Sequence, residues 1–403
     1  MDVKERAVAL SETIIELRRE LHAKPEIEHE LPFTEGVLVR ELSKLGLDEI
    51  KSGQGKGHGV FATLKGAKPG QGKVLALRAD MDALPITEET GLPFASTNGM
   101  MHACGHDSHV AMLLVTAQML AEARDELAGT IRFIFQPAEE TLDGALSMIE
   151  SGALENPKVD EIIGIHTGNI WPGLKPGQIG WRAGPFMAAT SGLDISFEGK
   201  GGHGATPHLT VDPIVMAAEA ITQLQTIVSR EVDPFEPAVV TIGKIEGGSA
   251  HNIIAERCKV KGTIRSFNPE VDALLKERIR AVAEGVASTM RGRAIVEFKG
   301  NLPVVINDIV CSHKMRDVVI KALGEEYIAE IALPTTGSED FSFYLQKVPG
   351  AFFYHCGMFE PSSSVDIINY PHHHPKFDVN ESVLWTGAAA MTAYALHNTC
   401  PAQ

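Results

Sequence analysis

Three near-continuous apolar runs constrain the fold of this chain most. Val74-Leu75-Ala76-Leu77, Thr130 to Phe135 and Ile162-Ile163-Gly164-Ile165 are short, with helical patterns between them. Such runs read as strands covered on both faces in an α/β sheet. Each leads into residues that bind or orient metals. Asp80-Met81-Asp82 follows the first, Gln136-Pro137-Ala138-Glu139-Glu140 the second, and His166 the third. Ligands in open α/β sheets gather at the carboxyl ends of strands, so three runs ending this way predict one site.

A fourth segment, His102-Ala103-Cys104-Gly105-His106-Asp107, places a thiol and an imidazole two positions apart around a glycine. In extended backbone such residues project to the same side. Soft sulfur and imidazole suit zinc, with nickel, cobalt or manganese as alternatives. A helix is predicted from Ser108 to about Leu127, capped by Asp107 or Ser108 and followed by Gly129. Cys104 then lies just before a helix N-terminus, where the dipole favours a thiolate.

Five candidate ligands emerge: Cys104, His106, Glu140, His166 and one histidine of His372-His373-His374. Five exceed one tetrahedral zinc and suit two ions sharing a donor, about 3.5–4 Å apart, with a water activated between them. Adjacent glutamates cannot present identically, so one of Glu139 and Glu140 can bind metal while the other moves protons as general base and acid. Asp80 or Asp82 is expected to hold a ligand imidazole by its second N–H. His22, His29, His102, His109, His313 and His355 read as structural, His109 being separated from His106 by the expected cap. In Gly202-His203-Gly204-Ala205-Thr206-Pro207-His208, two histidines sit on a glycine-rich turn, and His203 can donate to a developing oxyanion. Asn252 offers an amide donor, and Arg265 a planar fork for a carboxylate.

The length of 403 residues allows two or three domains. The formal charge of −16, from 36 basic and 52 acidic side chains, disfavours nucleic acid and anionic membranes as partners. No run approaches a membrane span. The charged N-terminal segment lacks the apolar core of a signal peptide. Five cysteines (Cys104, Cys258, Cys311, Cys356 and Cys400) show no framework spacing, which predicts reduced thiols and a cytoplasmic location.

Helices are predicted over Val3 to His22 and Phe33 to Leu45, closing at Gly46, before the α/β alternation begins. Near residue 188 the pattern changes. An alternating strand over 191–199 precedes a helix from about Asp212 to Val228, strands Ala238 to Ile245 and Ala255 to Phe267, a helix from Pro269 to Met290, and a strand from Ala294 to Phe298. This β-α-β-β-α-β order is ferredoxin-like. The simplest division is a discontinuous domain of residues 1–187 and 303–403 interrupted by an insert of 188–302.

These residues resemble the dinuclear aminoacylase/carboxypeptidase family of metallohydrolases, and more closely its amidohydrolase branch, with hippurate hydrolase, N-acyl-amino-acid deacylases and auxin-conjugate hydrolases. The resemblance rests on Leu21-His22-Ala23-Lys24-Pro25-Glu26, Arg78-Ala79-Asp80-Met81-Asp82-Ala83-Leu84-Pro85, Met101 to Asp107, Gln136 to Glu140 and Gly164-Ile165-His166. It continues through Gly201 to His208 with Asp212-Pro213, and Gly337-Ser338-Glu339-Asp340-Phe341. It implies an α/β catalytic domain with a zinc-peptidase-like mixed sheet, and an inserted α+β lid and dimerisation domain. It further implies Cys104 as bridging ligand to two divalent ions, with His106, Glu140, His166 and His373 as the others. A His-x-Pro-x-Phe motif selects His373 within its run, one residue from His374. Glu139 would be the general acid/base, and His203 a transition-state donor reaching in from a partner subunit. His208, Asn252 and Arg265 would meet the substrate's carboxylate.

The implied reaction is hydrolysis of the amide bond of N-acetyl or N-aroyl amino acids by a homodimer, or a homotetramer of such dimers. Thr141 departs from the glycine usual in this branch after the two glutamates, which points to an altered acyl pocket. A dipeptidase or carboxypeptidase is the alternative on the same scaffold. A cysteine hydrolase using Cys104 would leave Glu140, His166 and His373 without a role, and a non-catalytic binder would have no use for Glu139.

Overall fold

The computed structural model describes residues 1–70, 72–360 and 368–399. The chain forms two compact units. Unit 1 comprises Met1–Gly184, Ile306–Leu333 and Asp340–Gln403; unit 2 comprises Pro185–Val305 and Pro334–Glu339.

Unit 1 holds an eight-stranded mixed sheet. Its spatial order is Glu49–Gln54, Gly59–Lys65, Thr130–Gln136, Val74–Asp80, Glu161–Gly168, Gly350–Cys356, Ile179–Trp181 and Ile328–Glu330. The central strands Thr130–Gln136, Val74–Asp80, Glu161–Gly168 and Gly350–Cys356 run parallel to one another. They are buried along nearly their whole length, as apolar runs without alternation require. Because these strands run the same way, Asp80, Gln136 and His166 emerge together toward the carboxyl ends of their strands.

Two helices pack into this core and are themselves buried almost throughout, His106–Glu122 and Leu384–Thr399. Gly387 permits their approach, since a Cβ there would lie 2.3 Å from Met112 Sδ. The first of them begins at His106, two residues earlier than expected. Gly105 adopts φ 87°, and neither Asp107 nor Ser108 caps the start. It ends at Glu122, and a short 3-10 turn, Arg124–Glu126, takes the chain onward. The N-terminal helix is also divided, into Val3–Ala9 and Ser11–His22. The Ser11 hydroxyl donates to the Val8 carbonyl at 2.7 Å, competing with the helical ladder at the break.

Unit 2 contains a four-stranded antiparallel sheet in the order Ala238–Gly247, Arg257–Ser266, Ala189–Glu198, Arg293–Leu302. With the helices Pro213–Arg230 and Pro269–Thr289 this is a ferredoxin-like topology. Leu193, Ile195 and Phe197 alternate inward from Ala189–Glu198 into a core shared with both helices. The unit is larger than residues 188–302. The segment Pro334–Glu339 joins it because the Ala188 N–H donates to the Thr335 and Gly337 carbonyls, at 3.1 and 2.9 Å. Such a segment has no periodicity by which a sequence would reveal it.

Cys104, Cys258, Cys311 and Cys356 are free thiols, and Cys400 lies outside the described residues. Among the described residues no helix is long and apolar enough to cross a membrane.

Candidate metal centre

The strand ends and the turn before the helix His106–Glu122 deliver a cluster of donors in unit 1. Among the groups of three whose ligand atoms lie within 4.8 Å of one another are Cys104 with His106 and His166, Cys104 with Glu140 and His373, and His106 with Glu139 and Glu140. Cys104, His106 and Glu140 each belong to two of these three.

The imidazoles are oriented by backbone carbonyls. His106 Nδ1 lies 2.8 Å from the Asp82 carbonyl, and His166 Nδ1 lies 2.8 Å from the Thr167 carbonyl. A carbonyl only accepts, so both Nδ1 atoms carry a proton, and it is the Nε2 lone pair of each neutral ring that faces the cluster. His106 Nε2 is buried with no hydrogen-bond partner. Buried polar atoms left this way are costly. An imidazole nitrogen and a carboxylate oxygen beside a thiol form a donor set that suits zinc-like divalent ions.

The two glutamates are parted by a single carboxylate. Asp82 accepts the Glu139 N–H on Oδ1 at 3.0 Å and the Glu140 N–H on Oδ2 at 3.1 Å. Ala138 and Leu142, at φ 58° and 65°, bracket the pair in left-handed backbone. Glu140 turns its Oε1 toward His373 Nε2, 3.3 Å away.

The histidine run divides three ways. His373, itself at φ 63°, anchors by its N–H on the Ala103 carbonyl and joins Cys104 and Glu140. His374 stacks on Tyr370 with 4.5 Å between ring centroids, and its Nδ1 accepts the Lys376 N–H. His372 brings Nδ1 to 3.5 Å from Cys104 Sγ.

The electrostatics follow from burial and crowding. Burial pushes the Cys104 thiol well up, and the carboxylates of Glu140, Glu139 and Asp80 push it further. The helix N-terminus favours a thiolate, but burial and these carboxylates act against it, and a bound cation would supply the compensating charge. For His106 burial opposes the charged ring, but Asp80, Asp82 and Glu140 outweigh it and lift the ring to about 10. Burial and the neighbouring His109 and His372 hold His166 well below the ordinary imidazole value.

The expected roles of Asp80 and Asp82 are redistributed. It is the Asp82 carbonyl that fixes His106, while its carboxylate fixes the glutamate turn. The Asp80 carboxylate holds His109 Nδ1, whose Nε2 accepts the Thr167 N–H at 2.7 Å. Arg78 spans Asp80 and Asp340 with bonds of 2.7 and 2.8 Å, and Gln136 donates to Asp340 as well. Sequence reasoning left His109 structural and gave Arg78 and Asp340 no role beyond membership of their motifs. The signal for His109 was its i, i+3 spacing from His106, which became meaningful once the helix began at His106.

A second buried network lies behind Asp107. Arg18 donates to Asp107, Asp378 and Glu381, and His22 contacts Asp107 at 2.7 Å and Glu88 at 3.1 Å.

The other predicted residues belong to unit 2. His203 and Asn252 are brought together there, because Gly202–His203 pairs with Ile253–Ile254 and the Gly204 N–H donates to the Asn252 carbonyl. Both are exposed, as is His208 on the short 3-10 turn Pro207–Leu209. Arg265 is half-buried on Arg257–Ser266 and donates to Thr263 Oγ1 at 2.9 Å.

Comparison with known proteins places this arrangement. Residues 76–397 match the model of peptidase family M20/M25/M40. The chain is 40% identical to an N-acetyl-L-cysteine deacetylase of Bacillus subtilis strain 168, over 93% of this chain and 85% of that one. It is 38% identical to thermostable carboxypeptidase 2 of Saccharolobus solfataricus, over 98% and 96% of the two chains. The crystal structure of the Bacillus subtilis YXEP protein, a dinuclear metal binding peptidase from the M20 family, superposes with a TM-score of 0.81 at 34% identity, covering 97% of this chain and 98% of that one. A mixed α/β fold, a buried cluster of thiol, imidazole and carboxylate donors and these relatives agree: the chain is a hydrolase belonging to peptidase family M20/M25/M40.

Proposed function

We propose that the protein hydrolyses the amide bond of N-acyl amino acids, acetyl or aroyl, releasing a carboxylic acid and a free amino acid. The observation that carries this reading is the placing of Glu139 and Glu140 side by side on Asp82, against Cys104, His106, His166 and His373. In this reading Cys104, His106, Glu140, His166 and His373 hold two divalent ions. Zinc suits the thiol and imidazoles best, with manganese, cobalt or nickel as alternatives. Such ions supply Lewis-acid polarisation of the acyl carbonyl and acidification of water.

The chain's own residues do the rest. Glu139 takes the proton of the attacking water and delivers it to the departing amide nitrogen. Asp82 holds the main chain so that the two glutamates diverge, one toward ions and one toward the proton. His203 donates to the developing oxyanion, and Arg265, with His208 and Asn252, grips the amino-acid carboxylate. Unit 2 is proposed as lid and dimerisation domain. Its edge strand Ala238–Gly247 and the preceding loop expose Phe235, Val239 and Ile245, an apolar set suited to a second copy of the chain. The free thiols fit a reducing compartment, the cytoplasm.

The test is hydrolysis of N-acetyl, N-benzoyl and dipeptide substrates by chelator-stripped protein, before and after addition of zinc, manganese, cobalt or nickel. Activity restored only by metal, and on acyl amino acids, supports the reading. Preference for dipeptides would move it to the peptidase alternative, and inactivity under every metal would overturn it.

A further inference from the structure

His372 is the imidazole that the proposed site does not use, although its ring lies against the sulfur at the centre of the cluster. Its hydrogen bonds set it apart from His106 and His166, whose protons are held by carbonyls. His372 Nε2 sits 3.3 Å from the backbone N–H of Asn169. An amide N–H can only donate, so Nε2 carries the lone pair and the proton is on Nδ1. Tyr354 agrees with this assignment. Its oxygen accepts the Ile170 N–H at 2.6 Å, and its hydroxyl lies 3.4 Å from the same Nε2, which it can meet as a donor. Nδ1–H then faces Cys104 Sγ at 3.5 Å, within reach of an N–H···S bond.

The backbone makes room for this contact. Gly168 follows Thr167 at φ 143°, and a Cβ there would fall 2.0 Å from His372 Nε2 and 3.0 Å from Tyr354 Oη. Phe377 flanks the ring on another side, with centroids 4.7 Å apart. The ring is thus confined with its donor toward the sulfur.

We propose that His372 is a positioning residue that donates a hydrogen bond from Nδ1 to the Cys104 thiolate, and that it is not itself a metal ligand. The inference rests on the reading of Cys104 as a ligand. A donor aimed at a thiolate draws charge from its lone pairs and fixes their direction, as outer partners do for other metal ligands.

The test is cobalt(II) titration of metal-free protein, followed by the near-ultraviolet sulfur-to-cobalt charge-transfer band and by calorimetry. The wild-type protein should show the band and bind two equivalents. His372→Leu and His372→Met should keep both equivalents, move the band to lower energy and weaken cobalt binding by about 10–100-fold. His372→Asn, which can place an amide donor near the Nδ1 position, should restore the band toward its wild-type energy. Gly168→Ala should shift it like the leucine variant with His372 still present, so the inference stays testable if one variant fails to fold. An unmoved band in both the leucine and methionine variants would overturn the proposal. Loss of one cobalt equivalent would overturn it too, by making His372 a ligand. A wild-type protein that binds cobalt with no such band would fail earlier, at the reading of Cys104.

Discussion

At the scale of single residues, the site depends on one short turn that makes two neighbouring glutamates behave differently. Ala138 and Leu142 accept left-handed backbone, each at a cost of about 1–2 kcal/mol, and Asp82 holds the two intervening N–H groups. Strain kept at such a place belongs with function. Glu139→Gln keeps the size of the side chain and the Asp82 bond but cannot take a proton. Turnover should fall by about 10²–10⁴-fold, the usual worth of a general base, while two metal equivalents remain by elemental analysis. Unchanged turnover would remove Glu139 from the mechanism. Cys104, His106, Glu140 and His166 were legible in the sequence because they stand at the ends of apolar runs or before a predicted helix. His109 and His372 were not, because the role of an imidazole is set by which nitrogen keeps its proton. That depends on Asp80, Thr167 and Asn169, none of them sequence neighbours of the histidine they hold.

At the scale of elements, the helix His106–Glu122 shows what pattern reading reaches. Its existence followed from an apolar face, but its start did not, since a cap was sought in Asp107 and Ser108 and was supplied by the conformation of Gly105. That conformation turns the chain between Cys104 and His106. Gly105→Ala would force an L-residue to φ 87° and bring its Cβ to 3.2 Å from Thr167 Cγ2. The expected cost is about 1–2 kcal/mol of backbone strain, seen as a lower thermal midpoint, with reduced metal occupancy as the turn opens. A variant with full occupancy and an unchanged midpoint would show that the turn tolerates a side chain. In unit 2 the alternation of Leu193, Ile195 and Phe197 was legible directly, because a strand with one buried face shows period two. Phe197 is fully buried in that unit's own core. Phe197→Ala should cost about 3–5 kcal/mol, measured by urea unfolding, and should leave metal stoichiometry intact because the donor cluster belongs to the other core.

At the scale of the whole molecule, charge matters where it is buried rather than in the net of −16. Arg18, His22, Glu88, Asp107, Asp378 and Glu381 come from four well-separated stretches of chain and meet beneath the turn that carries His106. The motif containing His22 was recognisable, but its partners were not, since they are set by tertiary contact alone. Burial penalises the charged forms, yet Arg18 and His22 hold the Asp107 carboxyl far below its usual range. Burial also works against His22, and its bonds to Asp107 and Glu88 still raise it above the ordinary value. A group raised on folding binds its proton more tightly in the folded state. Its contribution to stability is therefore full below the unfolded imidazole value of about 6.5 and is lost as pH rises through the folded value. Metal-free wild-type protein should lose stability from about pH 6.5 upward. In His22→Gln, which cannot be protonated at this position, the share of the loss that His22 contributes should be absent, while the share from His106 remains. The two proteins should therefore differ most at or below that pH and converge in alkaline solution. Urea midpoints from pH 6 to 9 would show this, and parallel profiles for the two proteins would mean that His22 carries no such proton.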